Sequence, residues 1–378
     1  MTQTIVVLGG SYAGLQIAHR LVKNTRKSVQ DLKVILVSKN SHFYWNLASV
    51  RAIIPGILKD EEYSQPIEKG FAKYPSDAFE FIVGTASATD LDAKSVTVST
   101  ADGGERVLSY DHLVLATGTR TAGDEVVPWK ANGSHEEIMD SLHKTAEKVA
   151  AAKHIVVAGA GATGVEVAGE LGFEYGKNKD KEILLLSGGS TVLPGDILAS
   201  NAESELKKLG VVIKTGARVA GTAVLPDGKT EVTLQSGEKI LTDLYLPTMG
   251  MAANTEYLPE KVLREDGSKF VAIDEFYRVK NATNVWAAGD IVWSPRGGYV
   301  LADKQAAGVS KNVDLVLHGK NPTPVKTLPI DVLVAATGRS RGVGRLGSVK
   351  VFSYMVYMIK GKTLGVQQLP GILNGTNY

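Results

Sequence analysis

The chain has 378 residues, enough for two or three full-sized domains, and its 44% hydrophobic and 22% charged composition is that of an ordinary globular protein. A formal net charge of +2, with basic residues spread along the chain, argues against nucleic acid as a partner. The chain has no cysteine, which excludes disulfide scaffolds, cysteine-ligated zinc, iron–sulfur clusters, a redox-active disulfide and a catalytic thiol.

The apolar run Ile5–Leu8 predicts a strand. It leads into Gly9-Gly10-Ser11-Tyr12-Ala13-Gly14 and a helix over about Ala13–Lys23, then a strand at Lys33–Val37. Phe79–Val83, Ser95–Ser99 and Glu105–Ser109 read as an antiparallel meander turning at Asp102-Gly103-Gly104. His112–Ala116 is a further strand, ending in Thr117-Gly118. Ser134–Ala152 reads as a charged amphipathic helix linking two domains.

The same order then repeats. Strand Ile155–Ala158 runs into Gly159-Ala160-Gly161-Ala162-Thr163-Gly164, a helix over about Thr163–Tyr175 and a strand at Glu182–Leu186. Val219–Leu225 and Thr230–Gln235 flank a Pro226-Asp227-Gly228 hairpin turn, and Asp243–Pro247 ends at Thr248-Met249-Gly250. Gly9 and Gly159 stand 150 residues apart, so one architecture is used twice, the second copy inserted into the first. The chain returns at Asn284–Ala288 with Gly289-Asp290, and a helix over about Ala302–Leu317 completes the first copy. The tail from Pro322 carries an apolar segment, Val349–Ile359, read as core of a small third domain. A membrane-facing patch or a wall of a quinone pocket is the alternative, and Lys360 and Lys362 beside it suit anionic lipid.

Each glycine fingerprint follows a strand and opens a helix, the context in which it signals dinucleotide binding. Pyrophosphate would sit on the free N–H groups of the helix start, with the macrodipole in its favour. Ser11 stands where the second glycine of the first fingerprint belongs, so a ligand-free helix cap is the competing reading there. The acidic residue that normally binds the adenosine ribose is missing twice. Ser38-Lys39 ends the second strand of the first copy, and Ser187-Gly188-Gly189-Ser190 follows Leu186 in the second. Without that acid nothing bars a 2′-phosphate. No arginine follows closely to select one, so weak discrimination between NADH and NADPH is expected.

Asp290, at a strand end beside Gly289, is suited to accept hydrogen bonds from a polyol such as a flavin ribityl chain; a plain turn or helix cap is the bland reading. Glu166 is either a charge complementing the helix dipole or a carboxylate near the nicotinamide. Lys304 and Gln305 either reach the flavin ring, where a cation stabilises reduced anionic flavin, or lie on a solvated face. The seven histidines have no ligand spacing and no serine sits in a G-x-S-x-G elbow, so metal and hydrolase chemistry are not expected.

These residues resemble a known family. Ile5–Gly14, His42-Phe43-Tyr44-Trp45-Asn46, Arg51, Ala116-Thr117-Gly118, Gly164-Val165-Glu166, Trp286–Asp290, Leu301–Ala306 and Gly338–Gly344 are similar to the apoptosis-inducing-factor-like flavoproteins, in the AMID branch. The resemblance covers nearly the full chain. It implies FAD around Gly9, Ser11, Gly14, Arg51, Asp290, Lys304 and Gln305, a nicotinamide dinucleotide around Gly161, Gly164, Glu166 and Gly250, and quinone reduction as the usual activity. Lipid-anchored members begin with a myristoylated glycine; this chain has Thr2 there.

The expected fold is α/β: two Rossmann-like dinucleotide-binding domains, three-layer ββα with glutathione-reductase-like topology, plus a small C-terminal α+β domain. The expected domains are 1–125 with 278–322 for FAD, 126–277 for NAD(P)H, and 323–378 at the C-terminus. The expected activity is hydride transfer from NADH or NADPH to FAD and electron transfer to a quinone-like acceptor. A tailoring flavoenzyme acting on an aromatic or polyketide-like metabolite, and a redox-gated interaction protein, are the alternatives. With no signal peptide and no long apolar run, a cytoplasmic protein is expected, with peripheral contact to an intracellular membrane through the tail and oligomeric state left open.

Overall fold

A computed structural model describes residues 2–122, 127–130, 132–176, 180–328 and 330–378. The expected boundary at 125/126 lies outside the described residues. The fold is mixed α/β, built on two sheets with parallel cores. In the first, the strands run in the order Val285–Ala287, His112–Leu115, Gln3–Leu8, Leu32–Ser38, Phe79–Asp90, Ser95–Thr100, Glu105–Ser109. The first five pair in parallel, with Leu8 opposite both Val37 and Leu115. Ile5, Val6, Val7 and Leu8 are buried on both faces, which is why this run is apolar rather than alternating. Helices Tyr12–Lys23 and Tyr299–Leu317 pack against each other beside this sheet.

The segment Phe79–Val83 differs from the expected meander strand. It pairs in parallel with Leu32–Ser38, and the same strand continues to Asp90 as the antiparallel partner of Ser95–Thr100. The change of partner falls at Gly84, where a Cβ would lie 2.7 Å from Val98 Cγ1 and 2.8 Å from Ser99 O. A side chain there would push the Ser95–Thr100 strand away.

The second sheet orders Val212–Lys214, Glu182–Leu186, His154–Ala158 and Leu244–Pro247, all parallel. A separate meander of Val219–Val224, Thr230–Leu234 and Lys239–Thr242 packs on it through Val156, Leu186, Val232 and Leu234. The helix after the second fingerprint runs Ala162–Leu171 and ends in a π turn at Gly172–Gly176. The linking helix spans His135–Ala151, closed by a capping box in which Glu137 N donates to Ser134 Oγ and Ser134 N donates to Glu137 Oε2.

A three-stranded antiparallel sheet of Val332–Thr337, Arg341–Leu346 and Val349–Val351 follows, packed against the Ala162–Leu171 helix. The reading of Val349–Ile359 as core is overturned. Only Val356 points inward, while Phe352, Tyr354 and Val349 are 81%, 70% and 67% exposed. The segment divides into a short strand, one helical turn at Ser353–Val356 and a π turn at Tyr357–Gly361. No single periodicity is held long enough to bury one face.

The C-terminal helix Leu369–Leu373 docks on the Tyr12–Lys23 helix through His19. Its fully buried ring stacks on Phe71 at 3.8 Å. The neutral tautomer satisfies both nitrogens: Nε2 donates to Leu373 O (2.8 Å) and Nδ1 accepts from Tyr74 Oη (3.0 Å). Burial lowers the His19 pKa to about 4. The unfolded chain therefore binds this proton more tightly, so the stabilisation is complete above pH ~6.5 and lost as pH falls toward 4. Between pH 7 and pH 5 the loss is about 2 kcal/mol, and in His19→Gln the urea midpoint should fall less steeply over that range.

Candidate functional site

Both fingerprints form tight strand–turn–helix cradles. A Cβ on Gly14 would lie 1.8 Å from Gly9 O, and one on Gly164 would lie 1.7 Å from Gly159 O, so each helix packs against its own turn in a way only glycine allows. Ser11 is the N-cap of its helix but makes no side-chain cap bond, and the helix has no acid in its first turn. Gly161 is the corresponding N-cap in the second cradle, with open space where a Cβ would be. Thr248 Oγ1 pins that turn by bonding Ala158 O and Gly159 O at 2.9 and 2.8 Å. Each turn thus presents free N–H groups and room for an anion.

A cavity of ≈ 1300 Å³ connects the two cradles. Gly9, Gly10, Ser11, Tyr12 and Ala13 line one end, beside Ser38 and Lys39 at the second strand. Ala116, Thr117 and Gly118 and then Gly289 and Asp290 form its floor. Gly161, Ala162, Thr163, Glu166 and Gly250 line it from the second cradle. Gly14, Gly159, Gly164 and Ser187 shape the turns without lining it. Ser187 is buried, its hydroxyl donating to Thr191 O at 2.7 Å. Tyr12 packs edge-on against Phe43, Trp45 and Tyr299, and its buried hydroxyl has no partner among the described residues. A polar atom left unbonded in such a setting fits a ligand that supplies the bond.

The family model described as pyridine nucleotide-disulphide oxidoreductase matches residues 3–308. The chain belongs to that family. Oxidoreductase ptaL of Pestalotiopsis fici is 41% identical over 376 residues, 98% of this chain and 99% of that protein. Human ferroptosis suppressor protein 1 is 26% identical over 385 residues, 96% of this chain and 93% of that one, in keeping with the apoptosis-inducing-factor-like branch. Among solved structures, NDH2 from Plasmodium falciparum in complex with NADH superposes with a TM-score of 0.78 at 14% identity, covering 98% of each chain. As a member of this family the chain is a flavoprotein oxidoreductase working with FAD and NAD(P)H. The open cradles, the unbonded Tyr12 hydroxyl and the connecting cavity fit two dinucleotides. No cysteine is present to serve as the family's disulphide.

Several candidate residues take other places in this pyridine nucleotide-disulphide oxidoreductase than their motifs implied. Arg51 does not line the cavity. It is 3% exposed and forks onto Glu170, with Nη2 to Oε1 at 2.6 Å, and its remaining donors bond Gly361 O and Lys362 O. Lys304 is exposed and 3.7 Å from Asp303. The helix phase explains this: Ala302, Gln305 and Ala306 face inward, which turns Lys304 to solvent. Gln305 is buried behind the cavity wall, accepting from Gly289 N at 2.8 Å and donating to Ser294 O at 3.0 Å. It holds the Gly289-Asp290 turn. Glu166 lies beyond the first helical turn, so the dipole reading fails, and it lines the cavity.

Two lysines bring charge to the cavity that sequence reasoning missed. Lys130 Nζ pairs with Asp290 Oδ2 at 2.5 Å and bonds Thr119 Oγ1 at 3.3 Å. Lys360 turns away from solvent to pair with Glu166 Oε1 at 2.6 Å, while Ala336 N donates to the same carboxylate at 2.9 Å. It is therefore not free for lipid. Among the described residues no group of three His, Cys, Asp or Glu could hold a metal ion, and no helix is long and apolar enough to cross a membrane.

The cradles yield a direct test. Gly164→Ala should force the helix off its turn and weaken NADH and NADPH binding by at least about 10-fold, while the flavin absorbance near the first cradle persists. Fluorescence titration with each nucleotide against the flavin spectrum checks both halves.

Proposed function

We propose that this chain carries FAD in the first cradle and NAD(P)H in the second, and delivers electrons to an aromatic, quinone-like acceptor. The observation that carries this reading is the continuous cavity joining the cradles. The bound flavin supplies hydride acceptance from the nicotinamide and electron release to the acceptor. The chain supplies position and charge. The N–H groups after Ser11 and Gly161 hold the pyrophosphates. Asp290 accepts from ribityl hydroxyls, with Lys130 keeping its charge compensated. Lys360, oriented by Glu166, places a cation where negative charge develops.

At the acceptor end of the cavity, apolar side chains flank the Lys360–Glu166 and Arg296–Asp331 pairs. Leu328, Leu333 and Val334 line it, as do Ile330 and Ile359, which are themselves 48% and 58% exposed. Exposed Met358 adjoins Ile359, with exposed Met355 and Phe352 upstream in the same segment, and they support arrival of an apolar acceptor there, from solution or from a membrane surface.

A tailoring reaction on one elaborate aromatic metabolite is the second reading. The likeness to oxidoreductase ptaL at 41%, against 26% for human ferroptosis suppressor protein 1, keeps the acceptor's identity open to it. Steady-state turnover with short-chain quinones separates the two. A kcat/KM above about 10⁴ M⁻¹s⁻¹ supports quinone reduction. NAD(P)H consumption only with one complex substrate supports the tailoring reading, and flavin bleaching without turnover on any acceptor contradicts both.

A further inference from the structure

We propose that Arg218 is the residue that selects NADPH, by binding the 2′-phosphate of the adenosine ribose. The inference rests on the reading of the second cradle as the nicotinamide dinucleotide site. In a fingerprint of this type the adenosine ribose lies over the loop that follows the second strand. Here that loop is Ser187-Gly188-Gly189-Ser190, and it holds no carboxylate to repel a phosphate.

The adjacent strand Val212–Lys214 pairs in parallel with Glu182–Leu186, so the residues following the two strands emerge at the same carboxyl end of the sheet. Two backbone bonds fix them together: Gly216 N donates to Gly189 O and Ala217 N donates to Ser187 O, both at 2.8 Å. Arg218 comes next. A Cβ built on Gly188 would lie 3.5 Å from both Cβ and Nε of Arg218, so the arginine runs along the loop, and the glycine leaves its flank open. The side chain is exposed, and its guanidinium makes no hydrogen bond or ion pair among the described residues. The neighbouring cation is committed elsewhere, Lys214 pairing with Glu238.

A free guanidinium beside an acid-free loop matches a dianionic phosphate monoester, which it can bind through two parallel N–H donors. An arginine distant in sequence thus takes the place that the loop itself leaves vacant.

The test uses adenosine 2′,5′-bisphosphate and 5′-AMP as probes in calorimetric titrations of the flavin-loaded protein. The bisphosphate is expected to bind at least about 10-fold more tightly than 5′-AMP, with the difference shrinking as salt is raised. Arg218→Ala should abolish that difference and lower the NADPH/NADH ratio of kcat/KM by a similar factor. Arg218→Lys should retain part of both, since a point charge replaces the fork. Equal binding of the two probes by the wild type, or a bisphosphate preference that survives in Arg218→Ala, overturns the assignment and leaves the cradle reading intact. Binding of neither probe overturns both.

Discussion

Arg51→Ala is expected to destabilise the protein by about 3–5 kcal/mol, the effect of leaving a buried charge without its partner. Arg51 and Glu170 are 3% and 0% exposed, and the guanidinium forks onto the carboxylate, with Nη2 to Oε1 at 2.6 Å and Nε to Oε2 at 3.1 Å. Burial pushes the Glu170 carboxyl upward, against the pull of Arg51 and Arg339. The same guanidinium bonds Gly361 O and Lys362 O, so its loss also strands two backbone acceptors at the tail. Three parts of the chain meet here: Arg51 from the first sheet's surroundings, Glu170 from the second cradle's helix, and the end of the Tyr357–Gly361 turn with Lys362 after it. Urea denaturation followed by tryptophan fluorescence reads the loss. The double variant Arg51→Met with Glu170→Leu should recover only the part due to the unpaired Glu170 charge, because Gly361 O and Lys362 O still lack their donor. Flavin content separates this role from the one implied by family resemblance. Full stability with loss of FAD in Arg51→Ala would restore Arg51 as a cofactor contact.

Lys360→Met is expected to slow electron transfer to the acceptor by about 10²–10³-fold, the usual cost of removing one preorganised charge from an active site. Lys360 and Glu166 are 19% and 6% exposed, so their field is only weakly screened by water. Glu166→Gln retains an acceptor for Ala336 N but no longer fixes the lysine, and should give an intermediate loss. Lys304→Ala is the control, with rates within about 2-fold of wild type because the side chain points to solvent. Stopped-flow reoxidation of the reduced protein checks all three. A large loss in Lys304→Ala with little effect in Lys360→Met would return the catalytic cation to the Tyr299–Leu317 helix.

The legible parts of this molecule were those encoded by backbone geometry over a short stretch. The spacing Gly9 to Gly14 and Gly159 to Gly164 is readable because each terminal glycine touches the carbonyl of the first. The alternation of strands and helices was readable from buried apolar runs such as Ile155–Ala158. What escaped depends on contacts between distant segments. Lys360 reaches the cavity only because the tail folds over the second cradle's helix, and Lys130 only because its turn approaches Gly289-Asp290. Lys304 and Gln305 are adjacent in sequence, yet helical phase sends one to solvent and the other inward. The exposed apolar face of Val349–Ile359 likewise has a core-like composition, and only its broken periodicity hinted at another fate.

The most direct measurement is anaerobic stopped-flow absorbance of the purified yellow protein, mixed with NADPH or NADH and then with a short-chain ubiquinone analogue. The proposed arrangement of two dinucleotides in one cavity, with no thiol between them and the acceptor, predicts rapid single-phase bleaching by nicotinamide followed by rapid recovery with quinone. Absence of bleaching by either nicotinamide, in a protein that holds its flavin, would contradict the claim that the two cradles serve one reaction.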